Sequence, residues 1–232
     1  MLAFIGITSS AAYADGIILV GPETEKLVPP IASLNFQHHG FKKIESGRVS
    51  YNGTTDEVSG DISAGPHQET VAFSALGLGQ ASDLRVLLNI NEANGGSKAP
   101  ITVNTLILTA YDDNGDAVFT ASMINGPVNL DQFKQAQGST SDYVFGLDQE
   151  AAARLQTALA QNASLRLGLE ASLSNVDGGP ERFSFTGRDC GPVPEPTTMV
   201  LLGTGLAGIA GSVRRRRRAA AAAKIADEIT TA

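Results

Sequence analysis

Residues 164–173, SLRLGLEASL, contain the clearest secondary-structure pattern in the sequence. Apolar residues occupy every second position, which is the period of a β-strand with one face buried and the other in water. The alternating set is Leu165, Leu167, Leu169, Ala171 and Leu173. The pattern predicts a strand that packs these side chains against a core.

The same alternation returns in other parts of the chain. Residues 83–91, DLRVLLNIN, have an alternating set of Leu84, Val86, Leu88 and Ile90. Residues 101–111, ITVNTLILTAY, are dense in β-branched residues and fit a central strand. Clusters of Gly, Asn and Ser, such as residues 94–97, separate these runs as loops do.

One segment has helical periodicity. Asp148 can cap a helix over Gln149–Gln161, in which Ala151, Leu155 and Leu159 form one apolar stripe. Taken together, the patterns predict a mainly β fold, an antiparallel β-sandwich-like body with one short α-helix.

The charge distribution excludes one class of function. Residues 15–192 contain 11 Lys and Arg against 21 Asp and Glu. Contacts with nucleic-acid phosphates require a basic face, so we expect no nucleic-acid partner. The single cysteine, Cys190, excludes an internal disulfide framework. It has either no role or a role in an intermolecular disulfide.

The acidic cluster DDNGD, residues 112–116, has two interpretations. Its first, third and fifth residues match ligand positions of a calcium loop, but Ala117 and Met123 stand where such a loop has Gly and Glu. Asn114-Gly115 between two strand-like runs is typical of a type I′ hairpin turn, because both residues tolerate positive φ. We favour the hairpin.

No group of residues forms a recognisable catalytic constellation. The only histidines are His38, His39 and His67, and neighbouring histidines on a strand point to opposite faces, which suits metal binding poorly. Nucleophile-elbow, zinc-protease and Cys-x-x-Cys motifs are missing from the sequence. Carboxylates are plentiful, but their spacing singles out no acid–base pair. We predict no catalytic residue, no metal, no cofactor and no enzymatic activity.

The first 14 residues, MLAFIGITSSAAYA, indicate export. An apolar run over residues 2–7 precedes Ala12-Tyr13-Ala14, which fits signal-peptidase cleavage after Ala14. Lys and Arg are missing from this segment, and it is shorter than the usual ~15–30 residues. We interpret it as a signal peptide whose basic front was lost to a late start codon. A short buried strand is the alternative.

A second targeting segment lies near the C-terminus. Residues 199–213 contain no charge, and a basic cluster follows them. Because a bilayer core of ~30 Å requires about 20 apolar residues, a transmembrane helix here is short. The positive-inside rule places the cluster in the cytoplasm and the acidic body outside. A Gly-x-Gly-x-x-Gly match within the span lacks the preceding strand of a nucleotide site. The stop-transfer cluster consists of Arg214, Arg215, Arg216, Arg217 and Arg218.

The order of these C-terminal features resembles a known sorting signal. Val193-Pro194-Glu195-Pro196, a short hydrophobic span and an Arg cluster are similar to the PEP-CTERM signal of Gram-negative bacteria. The resemblance covers about residues 193–218. It implies that the segment holds an exported protein in the inner membrane until an exosortase acts at or near Pro194, Glu195 and Pro196. It also implies a link with exopolysaccharide and biofilm.

These segments predict a chain of four parts. A signal peptide over residues 1–14 is followed by a β-rich extracytoplasmic domain over residues 15–192. The sorting signal over residues 193–218 follows, and an Ala-rich tail over residues 219–232 departs from the family pattern, which usually ends at the basic cluster.

The expected partners follow from this organisation. Signal peptidase and exosortase would process the chain, and the inner membrane would hold it transiently. Exopolysaccharide or other envelope proteins would be partners at the cell surface or in the extracellular matrix. The preferred function is that of a non-enzymatic structural or binding protein. The alternatives are an envelope enzyme acting on exopolysaccharide and a plain single-pass anchored protein.

Overall fold

The computed structural model of the protein describes residues 16–22, 26–37, 43–63, 68–90, 101–130, 141–176 and 179–189. Contacts within the chain divide it into two units, Met1–Asp189 and Cys190–Ala232, and all described residues belong to the first. The predicted signal peptide and the predicted transmembrane helix over residues 199–213 lie outside the described residues. Within the described ranges, no helix is long and apolar enough to cross a membrane.

The described residues form twelve strands, one α-helix and two 3-10 helices (Phe73–Leu76 and Ala81–Asp83). The strands are β1 (Gly16–Pro22), β2 (Ile31–Asn35), β3 (Ile44–Tyr51), β4 (Asp56–Gly60), β5 (Val71–Ala72), β6 (Leu84–Ile90), β7 (Thr102–Tyr111), β8 (Ala117–Met123), β9 (Val128–Asn129), β10 (Ser141–Leu147), β11 (Arg166–Ser174) and β12 (Arg182–Gly187). Helix α1 (Gln149–Gln161) lies between β10 and β11. The predicted mainly β fold with one helix is confirmed.

All twelve strands belong to one curled sheet. Their order is β2-β12-β6-β10-β1-β8-β7-β11-β3-β4, with β5 paired to β11 and β9 paired to β7. The sequence predicted a sandwich, which consists of two separate sheets. The two halves are joined at β1, which pairs antiparallel with β10 and parallel with β8. Alternation specifies which face of a strand is buried, but it does not specify this junction.

The two edge strands, β2 and β4, meet just beyond their ends. The Gln37 N–H donates to the Asp61 carbonyl oxygen at 3.0 Å, and the Ser63 N–H donates to the Asn35 carbonyl oxygen at 3.1 Å. These bonds satisfy backbone groups that an open sheet edge would expose. The curl therefore encloses a core.

The alternating residues of β6 and β11 face this core, as predicted. Their exposed fractions are 3% or less for Leu84, Val86, Leu88, Ile90, Leu165, Leu167, Leu169, Ala171 and Leu173. Four phenylalanines fill the space between the strands with 0% exposure: Phe36, Phe145, Phe183 and Phe185. Full burial of one such large side chain contributes about 1.5–3 kcal/mol, so this core is the main source of stability.

Helix α1 has the predicted bounds and the predicted cap. The Asp148 carboxylate accepts a hydrogen bond from the Ala151 N–H at 2.8 Å, as an N-cap does. Ala151 and Leu155 are buried, and the partly buried Leu159 packs against the core. The second oxygen of the same carboxylate accepts from the Gly16 N–H at 2.9 Å, so one side chain fixes both the helix and the start of β1.

The hairpin between β7 and β8 is also present, but the predicted type I′ turn is wrong. The Gly115 N–H donates to the Asp112 carbonyl oxygen at 3.0 Å, and only Gly115 has a positive φ, of 85°, in this turn. This is a type I turn followed by a left-handed residue, with a three-residue loop. Asp112 Oδ1 stabilises it by accepting from the Asn114 and Asp116 amides, both at 2.9 Å.

Gly115 has a second reason to be glycine. A Cβ at this position would lie 2.2 Å from the carbonyl carbon of Asn52 and 2.4 Å from the nitrogen of Gly53. The β7–β8 turn therefore packs backbone to backbone against the β3–β4 turn. This contact and the positive φ both exclude a side chain.

We expect Gly115→Ala to destabilise the body more than Gly77→Ala does. Gly77 has a φ of 64° and open space at its Cβ, so its substitution carries only the left-handed penalty of about 1–2 kcal/mol. Gly115→Ala adds a backbone clash, with a further cost of about 1–3 kcal/mol. Urea unfolding of a fragment spanning residues 15–191 measures the difference. Equal effects of the two substitutions would contradict the turn–turn contact.

Candidate functional site

A polar surface covers the outer face of β7, β11, β3 and β4. The strand register places Thr105 opposite Ser172, and Ser172 opposite Ser46. Three hydroxyl residues therefore stand side by side across three strands. Two residues before Ser172 on β11, Glu170 lies opposite Arg48 of β3. On the other side of β3, Arg48 lies opposite Ser59 of the edge strand β4.

These residues surround an open groove of about 290 Å³, here named the β11 groove. Its lining consists of Ser46, Gly47, Arg48, Ser59, Gly60, Thr105, Glu170, Ala171 and Ser172. The side chains that line it offer hydroxyl, guanidinium and carboxylate groups, and none is aromatic. Every hydroxyl can both donate and accept a hydrogen bond, the guanidinium donates, and the carboxylate accepts.

Arg48 and Glu170 are the charged groups of the groove. Their positions are directly opposed across β3 and β11, and both side chains are exposed. Opposed cross-strand residues have Cβ atoms about 4.5–5.5 Å apart, which is close enough for an ion pair. Within the described part of the chain, Arg48 and Glu170 form no hydrogen bond or ion pair with each other. Their hydrogen-bonding capacity is therefore available to a ligand.

A second charged cluster lies beside Arg166 at the start of β11. Arg166 donates through Nε to Thr70 Oγ1 at 2.7 Å and through Nη2 to the Thr70 carbonyl oxygen at 2.8 Å. Arg166 Nη2 also lies 3.4 Å from Asp56 Oδ2, and the Thr70 hydroxyl donates to the same carboxylate. The guanidinium carbon lies 5.0 Å from the centre of the Tyr51 ring. This cluster fastens β4, β5 and β11 together.

Of the candidate metal-binding groups in the sequence, the structure describes one, the acidic cluster of residues 112–116. Asp112 Oδ1 accepts hydrogen bonds from two backbone amides of its own turn, as expected in a hairpin. The described residues contain no group of three His, Cys, Asp or Glu side chains that could hold a metal ion. His38, His39, His67 and Cys190 lie outside the described residues.

The sequence pattern did not single out two buried carboxylates, Glu45 and Glu181. Glu45 is 1% exposed in β3, and Glu181 is 0% exposed just before β12. Burial of a charge is costly unless it is compensated, and each of these residues has an interaction within the chain. Glu45 is separated from buried Gly47 and Val49 by exposed residues. This alternation of buried and exposed positions in β3 is the signal from which the burial of Glu45 could have been predicted.

The end of the body is tied to its first loop. The Arg188 N–H donates to the Asp83 carbonyl oxygen at 2.9 Å, and the Asp189 N–H donates to the Lys26 carbonyl oxygen at 2.8 Å. The Lys26 amine lies 2.5 Å from Asp189 Oδ2, and this hydrogen-bonded ion pair raises the pKa of Lys26. The fold therefore holds the chain up to Asp189.

The next residues carry the sorting information. Residues 192–217 match the family model of the PEP-CTERM protein-sorting motif. The match confirms the resemblance and includes Pro194, Glu195 and Pro196; Arg218 is the first residue after it. These positions lie outside the described residues.

The motif implies an exported protein that passes through a membrane-anchored intermediate in a Gram-negative bacterium. The same motif implies processing by an exosortase. Comparison with curated proteins and with solved structures found no match for the chain.

We expect Arg166→Met to lower the free energy of unfolding by about 1–3 kcal/mol, because it removes hydrogen bonds of a charged group that is partly buried. Arg48→Met on the neighbouring strand is the matched control. Arg48 has no polar partner among the residues that the structure describes, so its effect should stay within about 0.5 kcal/mol. Urea unfolding of both variants measures the two values. A loss of similar size in both variants would contradict a fastening role for the Arg166 cluster.

Proposed function

We propose that the protein is a non-enzymatic, exosortase-processed protein of the envelope or extracellular matrix, whose β-body associates with exopolysaccharide. The PEP-CTERM motif at residues 192–217 carries this proposal. The body ends in a fixed position at Asp189, directly before the motif. In the sequence, two residues, Cys190 and Gly191, separate Asp189 from the matched residues.

The proposed route begins with cleavage after Ala14 and export of the body. A helix over residues 199–213 then holds the chain in the inner membrane, and residues 214–218 stop its transfer. Even the most apolar residues add only about 0.5 kcal/mol each to insertion, and 15 uncharged residues, several of them glycine, make a marginal anchor. Such an anchor suits an intermediate that awaits processing better than a permanent attachment.

Binding is favoured over catalysis by the chemistry of the outer face. The β11 groove is open and is lined by hydroxyl groups with one guanidinium and one carboxylate. These groups suit reversible hydrogen bonding to a polar chain. His and Cys, the usual partners in nucleophilic catalysis, are missing from its lining.

The proposal predicts that processing depends on the motif. Replacing Pro194, Glu195 and Pro196 by alanine should trap the full-length chain in the inner membrane, because exosortase would no longer recognise it. Intact-mass analysis of the membrane and surface fractions, in a host with an exosortase, measures the outcome. Wild-type protein from the surface fraction should lack residues 214–218.

A double variant, Asp112→Asn with Asp116→Asn, is the matched control, because it alters the body but not the motif. It should be processed like the wild type. Two results would overturn the proposal. Surface protein that still carries residues 214–218 would indicate a plain single-pass protein, and normal release of the triple-alanine variant would reduce the motif to a spacer.

A further inference from the structure

We propose that the β11 groove binds a strand of neutral, hydroxyl-rich polysaccharide. This inference rests on the proposed function, and it adds a site, a ligand class and the residues that make contact. Three features of the described residues support it: a row of hydroxyls, a pair of free charges and an open shape.

The row of hydroxyls matches a ligand that repeats. Thr105, Ser172 and Ser46 supply one hydroxyl from each of three adjacent strands, and neighbouring strands lie about 4.8 Å apart. Each hydroxyl can donate and accept, and so can each hydroxyl of a sugar. Either partner can therefore rotate its hydroxyl proton to suit the other. A row of hydroxyls can thus bind a ligand whatever the order of donors and acceptors along it.

Arg48 and Glu170 supply the stronger contacts. A carboxylate can accept from two hydroxyls at once, and a guanidinium donates through a planar fork. Hydrogen bonds that involve a charged group are about twice as strong as neutral ones. Because neither side chain has a polar partner within the described structure, a ligand would replace water at these groups without breaking an internal ion pair.

Charge selects a neutral polymer over an acidic one. The groove contains one positive and one negative side chain, so its own charge is balanced. The body around it has 21 Asp and Glu against 11 Lys and Arg. The field of this acidic body repels a polyanion and leaves a neutral chain unaffected.

The shape of the groove suits a segment of a polymer. Its volume of about 290 Å³ is at the lower end of small-molecule sites, and it is open to solvent. An enclosed pocket would accept only a chain end. An open groove lets a long chain cross the sheet face and continue beyond it on both sides.

The test uses the full chain, purified in detergent, with immobilised neutral β-glucan and galactomannan as probes and polygalacturonate as the acidic comparison. The wild type should bind at least one neutral polymer and bind polygalacturonate more weakly. Glu170→Ala and Arg48→Ala should each weaken binding about tenfold, since each removes hydrogen bonds of a charged group. Ser172→Ala should weaken it less.

Thr120→Ala and Ser122→Ala are matched controls, because these exposed residues of β8 lie outside the groove. They should bind like the wild type, and the unfolding midpoint of each variant shows that it is folded. The proposal is overturned if the wild type binds neither neutral polymer, if polygalacturonate binds best, or if folded groove variants bind like the controls. Loss of motif-dependent processing with intact binding would instead overturn the proposed function and leave the groove standing.

Discussion

The insertion of β1 between β8 and β10 is the contact on which the rest of the sheet depends. Gly16 makes it possible, because a Cβ there would lie 2.1 Å from the carbonyl oxygen of Ser122. Asp148 then holds Gly16 from the other side, through its carboxylate and through its own N–H, which donates to the Gly16 carbonyl oxygen at 2.9 Å. This strand supplies the backbone pairing between the β10 half and the β8 half of the sheet.

The single sheet also explains where the groove lies. Strands β7, β11, β3 and β4 form one end of the strand order, and the inner faces of β7, β11 and β3 pack against the core. Their outer face carries short hydroxyl side chains beside Arg48 and Glu170, and together these residues line the open groove. The turn–turn contact at Gly53 and Gly115 and the Arg166 cluster hold these strands in register. The contacts that stabilise these four strands therefore also hold the proposed binding site together.

Local patterns in the sequence predicted much of this body. Alternation in β6 and β11 and the cap at Asp148 are set by nearby residues, and the structure has them as predicted. The neighbours of β1 could not be predicted, because Ile17 pairs with Leu147, 130 residues later. The turn at Asn114 was mispredicted, since the Asp112 side chain favours the type I geometry. The groove corresponds to no sequence motif, because its residues come from four strands and are brought together only by the register of strand pairing.

Strand β1 joins the two parts of one sheet, in a body that we expect to fold without its terminal segments. Amide hydrogen exchange on a fragment spanning residues 15–191 tests it most directly. If β1 completes the sheet, its hydrogen-bonded amides should exchange as slowly as those of β8 and β10. The free energy of opening at all three strands should then equal the free energy of global unfolding. Fast exchange of β1 beside protected β8 and β10 would show that the two parts hold together without it, and would contradict the account.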